Sequence, residues 1–299
     1  MLVDGKKIAD EIKGYLKEQV AWENVNLRMA FVCVGENSAI NKFVQLKQKF
    51  GNETGIKTIL NKFSADISES DLKNKITDIA NDDSVDGIVV QLPLPKHINT
   101  DKVLNIIPVS KDPDVLSEES FDLFKKNKLR IFPPVVGAIK EIFERHNVNL
   151  KGKKIVVIGK GRLVGAPVSA WLFNSGFLPV VLDEYDDIGD VVKNADVIIS
   201  GAGSPNIIKP EMLKNGIILI DAGTSPAKLP RPVYAYANRR DMLRNHGAGD
   251  LNGQLVGDID KSCDEKAELF SSVPGGIGPI TIAVLFRNFV QENKKSKKQ

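Results

Sequence analysis

Strand-length apolar runs alternate with helix-length amphipathic segments along residues 6–221, and a glycine-rich turn at 159–165 follows the apolar run KKIVVIG. Together these predict an α/β protein whose second half is a doubly wound sheet. At 299 residues the chain is long for a single hydrophobic core, so two domains are expected, with ligand chemistry in the crevice between them.

Residues 6–19 place Ile8, Ile12 and Leu16 at four-residue spacing, along one face of a first helix. The run 27–35 (LRMAFVCVG) reads as a strand ending in glycine. Asn37 or Ser38 then caps a helix to Phe50, with Gly51 as its stop. A strand over 58–63, a helix over 68–81 opened by an SESD cap, and an Asp86-Gly87 turn into IVVQLPLP continue the alternation. A second series starts at Gly152: a buried strand, the glycine turn, a helix through Leu172, and strands at 178–182, 196–200 and 216–221. A last helix over 281–292 follows the turn SVPGGIGP. The expected division is a first α/β domain over 1–130 and a Rossmann-type domain over 131–280, with 281–299 packing back onto the first.

Composition excludes several classes. Hydrophobic content of 42% with 26% charged residues argues against disorder and fibrous repeats. The net charge is +3, and the lysines at 294–298 lack interleaved aromatics, so they read as a solvated tail and not as a nucleic-acid site. Cys33 and Cys263 lie far apart, outside any CxxC pair or histidine spacing, which points to a reducing compartment and no metal. The polar start and the lack of a transmembrane-length apolar run predict a cytoplasmic protein without a membrane partner.

In VVIGKGRLVGAP, the turn Gly159-Lys160-Gly161 and then Val164-Gly165 link a strand to a helix. There glycines let backbone amides approach a pyrophosphate and the helix N-terminus favours its charge, although a bare tight turn has the same glycines. Asp183, followed by Glu184 at the end of the next strand, is placed to accept from both ribose hydroxyls. That favours NAD; a 2′-phosphate of NADP would need Lys160 or Arg162 as compensation, and Asp183 also reads as a strand-end turn residue.

In the first half, Phe43 and Lys47 share a helix face. Gln91, Leu92 and Pro93 follow a buried strand, and Asp112 and Asp114 lie on the loop beyond; each pattern alone is more often structural than catalytic. In this order, however, the segments resemble the methylenetetrahydrofolate dehydrogenase/cyclohydrolase family along nearly the whole chain. The carriers are Val34-Gly35 with Ser38, Phe43 and Lys47; QLPLP at 91–95; the KDPDV loop at 111–115; GKGRLVGAP at 159–167; and SVPGGIGPIT at 272–281.

The resemblance implies an N-terminal folate-binding domain and a Rossmann-type NAD(P)-binding domain in a homodimer. It also implies oxidation of methylenetetrahydrofolate with NADP or NAD, followed by hydrolysis of the methenyl product to 10-formyltetrahydrofolate. Carried over residue by residue, Lys47 handles protons, Gln91 orients it, and Asp114 accepts from the pterin edge. Phe43, Leu92, Pro93, Pro274, Gly275 and Gly276 flank the folate, while Gly159, Lys160, Gly161, Val164, Gly165, Asp183 and Thr224 hold the cofactor. Departures from the family pattern are Phe43 for its Tyr, Val115 for the Gly after the substrate Asp, Gly161 for a Ser, PVVGA after Pro133, and a longer segment at 226–253. These keep two neighbouring readings in view: a monofunctional NAD-dependent dehydrogenase and a weakly active folate- or nucleotide-binding paralogue. A shikimate-dehydrogenase-like enzyme would share the architecture but does not account for QLPLP and VPGGIGP in one chain.

Overall fold

The computed structural model describes residues 1–36, 38–183, 186, 188–226 and 255–294. The expected cap at Asn37, the acid Glu184, most of the 226–253 segment and the last lysines lie outside the described residues.

The first half runs α1 (Gly5–Glu23), β1 (Arg28–Val34), α2 (Ser38–Thr54), β2 (Lys57–Phe63), α3 (Glu69–Asn81), β3 (Gly87–Val90), α4 (Thr100–Leu104) and α5 (Glu118–Lys125). Its strands form a parallel sheet in the order β2-β1-β3, with Phe31 opposite both Leu60 and Val89. The alternation of period 2 is lost in β1 and β3 because both faces of each are covered, as parallel sheets require. The caps act as the sequence predicts for α3, where the Ser68 hydroxyl accepts from the Asp71 amide.

Gly51 does not end its helix. α2 continues to Thr54, and a Cβ at Gly51 would lie 2.5 Å from the Thr58 methyl, so this glycine lets the helix pass close to β2; the turn is made one residue past the helix, at Gly55 with φ +81°.

The second half runs α6 (Pro134–Arg145), β4 (Ile155–Ile158), α7 (Gly165–Asn174), β5 (Val180–Leu182), α8 (Gly189–Lys193), β6 (Val197–Ser200), β7 (Ile217–Asp221), β8 (Ser225–Pro226), β9 (Leu255–Val256), β10 (Ala267–Ser271) and α9 (Ile277–Asn293). Among the described residues five strands pair in parallel in the order β10-β7-β6-β4-β5, while β8 and β9 form a small antiparallel pair. The chain order reverses at β4, which has β5 on one side and β6 on the other, so a crevice opens beyond their carboxyl ends. Sequence reading missed β10: AELFS is short and begins beside charged residues, and its strand character comes from pairing with β7.

Two of the contacts that tie the halves together involve the chain ends. Residues 1–3 run alongside β10, with the Val3 amide donating to the Phe270 carbonyl and the Phe270 amide to the Met1 carbonyl, both at 2.9 Å. α9 packs against α1, α6 and α2, burying Phe286 and Phe289, and the Phe286 ring lies 5.0 Å from Phe50. Each such ring removed from water contributes on the order of 2 kcal/mol. α9 starts four residues earlier than the sequence predicts, inside the GGIGP turn, because its first amides need no helical partner and so tolerate Pro279.

Candidate active site

The carboxyl ends of β1 and β3 face the same side of the first sheet, and the groups with chemistry gather there. α2 brings in Lys47, whose ammonium donates to Gln91 Oε1 at 3.0 Å, just past β3; the Gln91 Nε2 donates to the Leu92 carbonyl at 3.2 Å. That second bond turns the amide so that its oxygen faces the lysine. Phe43 stands one helical turn before Lys47, half-buried on the same face. Leu92 is half-buried and joined to the exposed Pro93 by a cis peptide bond; a second cis bond joins Val273 to Pro274.

Asp114 completes the group. It and Lys47 keep some surface at the cleft floor, yet protein surrounds both. Burial holds the Lys47 ammonium below the usual lysine range, against the opposing pull of the Asp114 charge. Burial likewise raises the Asp114 carboxyl, with Lys47 pulling it down and Asp112 pushing it further up. The buried Cys33 thiol lies in the same field: desolvation raises it and Lys47 lowers it. Asp112, read from sequence as a turn former, is one: its buried carboxylate accepts from the Leu116 and Ser117 amides and the Ser117 hydroxyl.

The second cluster lies at the crevice beyond β4 and β6. Gly159 has φ +97°, and a Cβ there would come 2.6 Å from the Gly201 carbonyl oxygen; at Gly165 it would come 1.8 Å from the Gly159 oxygen. Only glycine lets these turns nest and leaves room for a pyrophosphate at the α7 N-terminus. Gly161 has open space around its Cα, so no packing demands glycine there. Lys160 is exposed, 4.0 Å from an Asp183 carboxylate oxygen and 3.8 Å from Asp186, so the acid expected at the ribose has a cation beside it. Val164 packs over Gly201, where a Cβ would meet its side chain at 2.3 Å, and Thr224 is exposed beyond β7. Arg162 forms an ion pair with Asp101 of α4, which links the cofactor turn to the first half across the cleft.

Sequence reading passed over two acids that build this crevice. Asp258 is wholly buried and accepts from the Ser200 hydroxyl at 2.8 Å and from the Ala202, Gly203 and Ser204 amides, fastening the loop after β6. Asp221, at the end of β7, accepts from the Gly223, Asp258 and Ile259 amides. An acid closing an all-apolar strand, as in IILID, is the signal that could have revealed it. Among the described residues no group of three His, Cys, Asp or Glu could hold a metal, and no helix is long and apolar enough to cross a membrane.

Two family models divide the chain. "Tetrahydrofolate dehydrogenase/cyclohydrolase, catalytic domain" matches residues 3–114 and "Tetrahydrofolate dehydrogenase/cyclohydrolase, NAD(P)-binding domain" matches 133–297. The chain is similar to the bifunctional protein FolD of Nautilia profundicola, at 32% identity over all of this chain and 99% of that one. It is also similar to the crystal structure of the bifunctional FolD methylenetetrahydrofolate dehydrogenase/cyclohydrolase from Campylobacter jejuni, at 31% identity and a TM-score of 0.86 over 99% of each chain. The Trypanosoma brucei FolD structure, complexed with NADP and an inhibitor, aligns at 27% identity and a TM-score of 0.88, covering 100% of this chain and 99% of that one. With the lysine–glutamine–aspartate floor in one half and the glycine cradle in the other, the chain belongs to the tetrahydrofolate dehydrogenase/cyclohydrolase family.

Proposed function

We propose that the protein oxidises 5,10-methylenetetrahydrofolate to the methenyl cation with NAD or NADP and hydrolyses that cation to 10-formyltetrahydrofolate in the same cleft. The observation that carries this reading is the 3.0 Å contact between Lys47 and Gln91, beside Asp114 on a floor where burial depresses the lysine. Water adding to the methenyl carbon must lose a proton, and a neutral lysine amine held by Gln91 accepts it. Asp114 accepts from the amino-pyrimidine edge of the pterin, and the Phe43 ring lies against the pterin face with the Pro274-Gly275-Gly276 turn, Leu92 and Pro93 around it. The cofactor supplies the hydride acceptor when bound at the turn Gly159-Lys160-Gly161, Val164 and Gly165 and beside Asp183 and Thr224; the protein's share is to align the two ligands and keep water from the hydride path.

NAD is the preferred cofactor in this reading, because Asp183 suits two ribose hydroxyls, and Lys160 is the residue that admits NADP. The reading also takes the folate half as 1–130 with the C-terminal helix upon it, the Rossmann half as 131–280, and the cytoplasm as the working compartment. It takes the protein as a homodimer, in keeping with the edge position of β5 and the exposure of Leu178 and Val180 there. Sedimentation equilibrium should therefore return twice the 32.8 kDa chain mass; a monomer at micromolar concentration would reject the dimer.

Initial rates with methylenetetrahydrofolate and each cofactor, with methenyl and formyl products quantified separately, test the activity. Formyl product with faster turnover on NAD is the expected result. Reduced cofactor with methenyl accumulating would assign a dehydrogenase alone, with Phe43 in place of Tyr as its cause.

A further inference from the structure

The loop that carries Asp114 is anchored on both sides. On the C-terminal side Asp112 gathers the Leu116 and Ser117 amides. On the N-terminal side the anchor comes from the far end of the sequence. Asn288 of α9, 4% exposed, donates through its Nδ2 to the Pro113 carbonyl at 3.0 Å and to the Phe132 carbonyl at 2.8 Å. Proline has no amide hydrogen, so that carbonyl is the one backbone hydrogen-bonding group Pro113 has, and it belongs to the peptide unit that leads directly into Asp114. On the other flank of Asp114, Val115 is held at φ +57° while 2% exposed. A β-branched residue adopts this left-handed geometry only where its surroundings impose it. The peptide before Asp114 is thus held from outside the loop by Asn288, and the one after it by the loop's own turn, in which the Val115 amide donates to the Asp112 carbonyl at 3.2 Å.

We infer that Asn288 is a positioning residue for Asp114 and through it a determinant of folate affinity, an inference that rests on reading Asp114 as the acid that binds the pterin. The amide uses both of its hydrogens on two carbonyls, one in the folate loop and one at the entrance to α6. Without it the Pro113 peptide can rotate, the Asp114 carboxylate loses its aim, and Val115 can relax out of its strained conformation. Asn288 itself touches no reacting atom in this arrangement.

The test is steady-state kinetics on Asn288→Leu, which keeps the shape and removes the donor, and on Asn288→Ser, which leaves space for water if the first variant fails to fold. The KM for methylenetetrahydrofolate should rise about tenfold, with kcat and the KM for NAD changed by less than about threefold. A merely structural role would disturb all three together or change thermal stability alone. Asp114→Asn must by itself raise the folate KM, and adding Asn288→Ser to it should raise the KM little further, because both changes remove the same contact. Folded Asn288 variants with an unchanged folate KM, or effects that multiply independently in the double variant, would overturn the inference. An unchanged KM in Asp114→Asn would reject the reading of Asp114 and the inference with it.

Discussion

Lys47→Met should cut the hydrolysis of methenyltetrahydrofolate by roughly 10²- to 10⁴-fold, the usual worth of a positioned proton-transfer group, while hydride transfer falls far less. The reason is geometric. Lys47 is the amine at the floor of the cleft, bonded to Gln91 and held below its ordinary range by burial, so it gives up its proton more readily than a solvated lysine. Lys47→Arg separates the charge from the proton: a guanidinium keeps the cation but does not deprotonate, so it should be as defective in hydrolysis as the methionine variant. Quantifying formyl and methenyl products side by side is the check. Formyl production at the native rate in either variant would remove Lys47 from the chemistry.

The second large effect is on stability. Burial is the main cause that raises the Asp221 carboxyl, to about 7; the Ile259, Asp258 and Gly223 amides pull it down and the Asp258 charge pushes it up. An acid raised in the folded state favours folding when protonated. Its contribution is complete below the unfolded value near 3.8 and is lost as pH rises through about 7. Asp221→Asn keeps the shape but cannot titrate. Its amide group faces the Ile259 amide in place of an acceptor oxygen, a pH-independent cost of about 1–3 kcal/mol. Between pH 5 and pH 8 the native chain should therefore lose about 3 kcal/mol relative to the variant. Urea unfolding of both proteins at the two pH values measures this, and a stability difference that does not move with pH would contradict it.

Local patterns carried much of this fold because the forces behind them are local. The Ser68 cap and the positive φ of Gly159 each act within a few residues, and the apolar runs IVV and IVVI form the strands their composition predicts, whereas the close approach of Gly159 to Gly201 is tertiary. Gly51 misled because its demand is tertiary: a helix stop and a close helix–strand contact call for the same residue. β10 was hidden because a short strand with charged neighbours acquires its character from the strand it pairs with.

By itself the sequence determined the α/β alternation and the glycine-rich strand–turn–helix, and through its family resemblance it nominated the residues of the candidate site, since periodicity, glycine geometry and motif order are properties of the chain alone. Tertiary structure decided what those residues are to one another. It brought Lys47 against Gln91 from 44 residues away, Asn288 against Pro113 from 175, and Asp258 against Ser200 from 58. The raised Asp221 could not be read beforehand, because a pKa shift is a property of burial and neighbours, which exist only once the chain has closed around it; the lowered lysine follows from the family resemblance, and the fold supplies the burial that causes it.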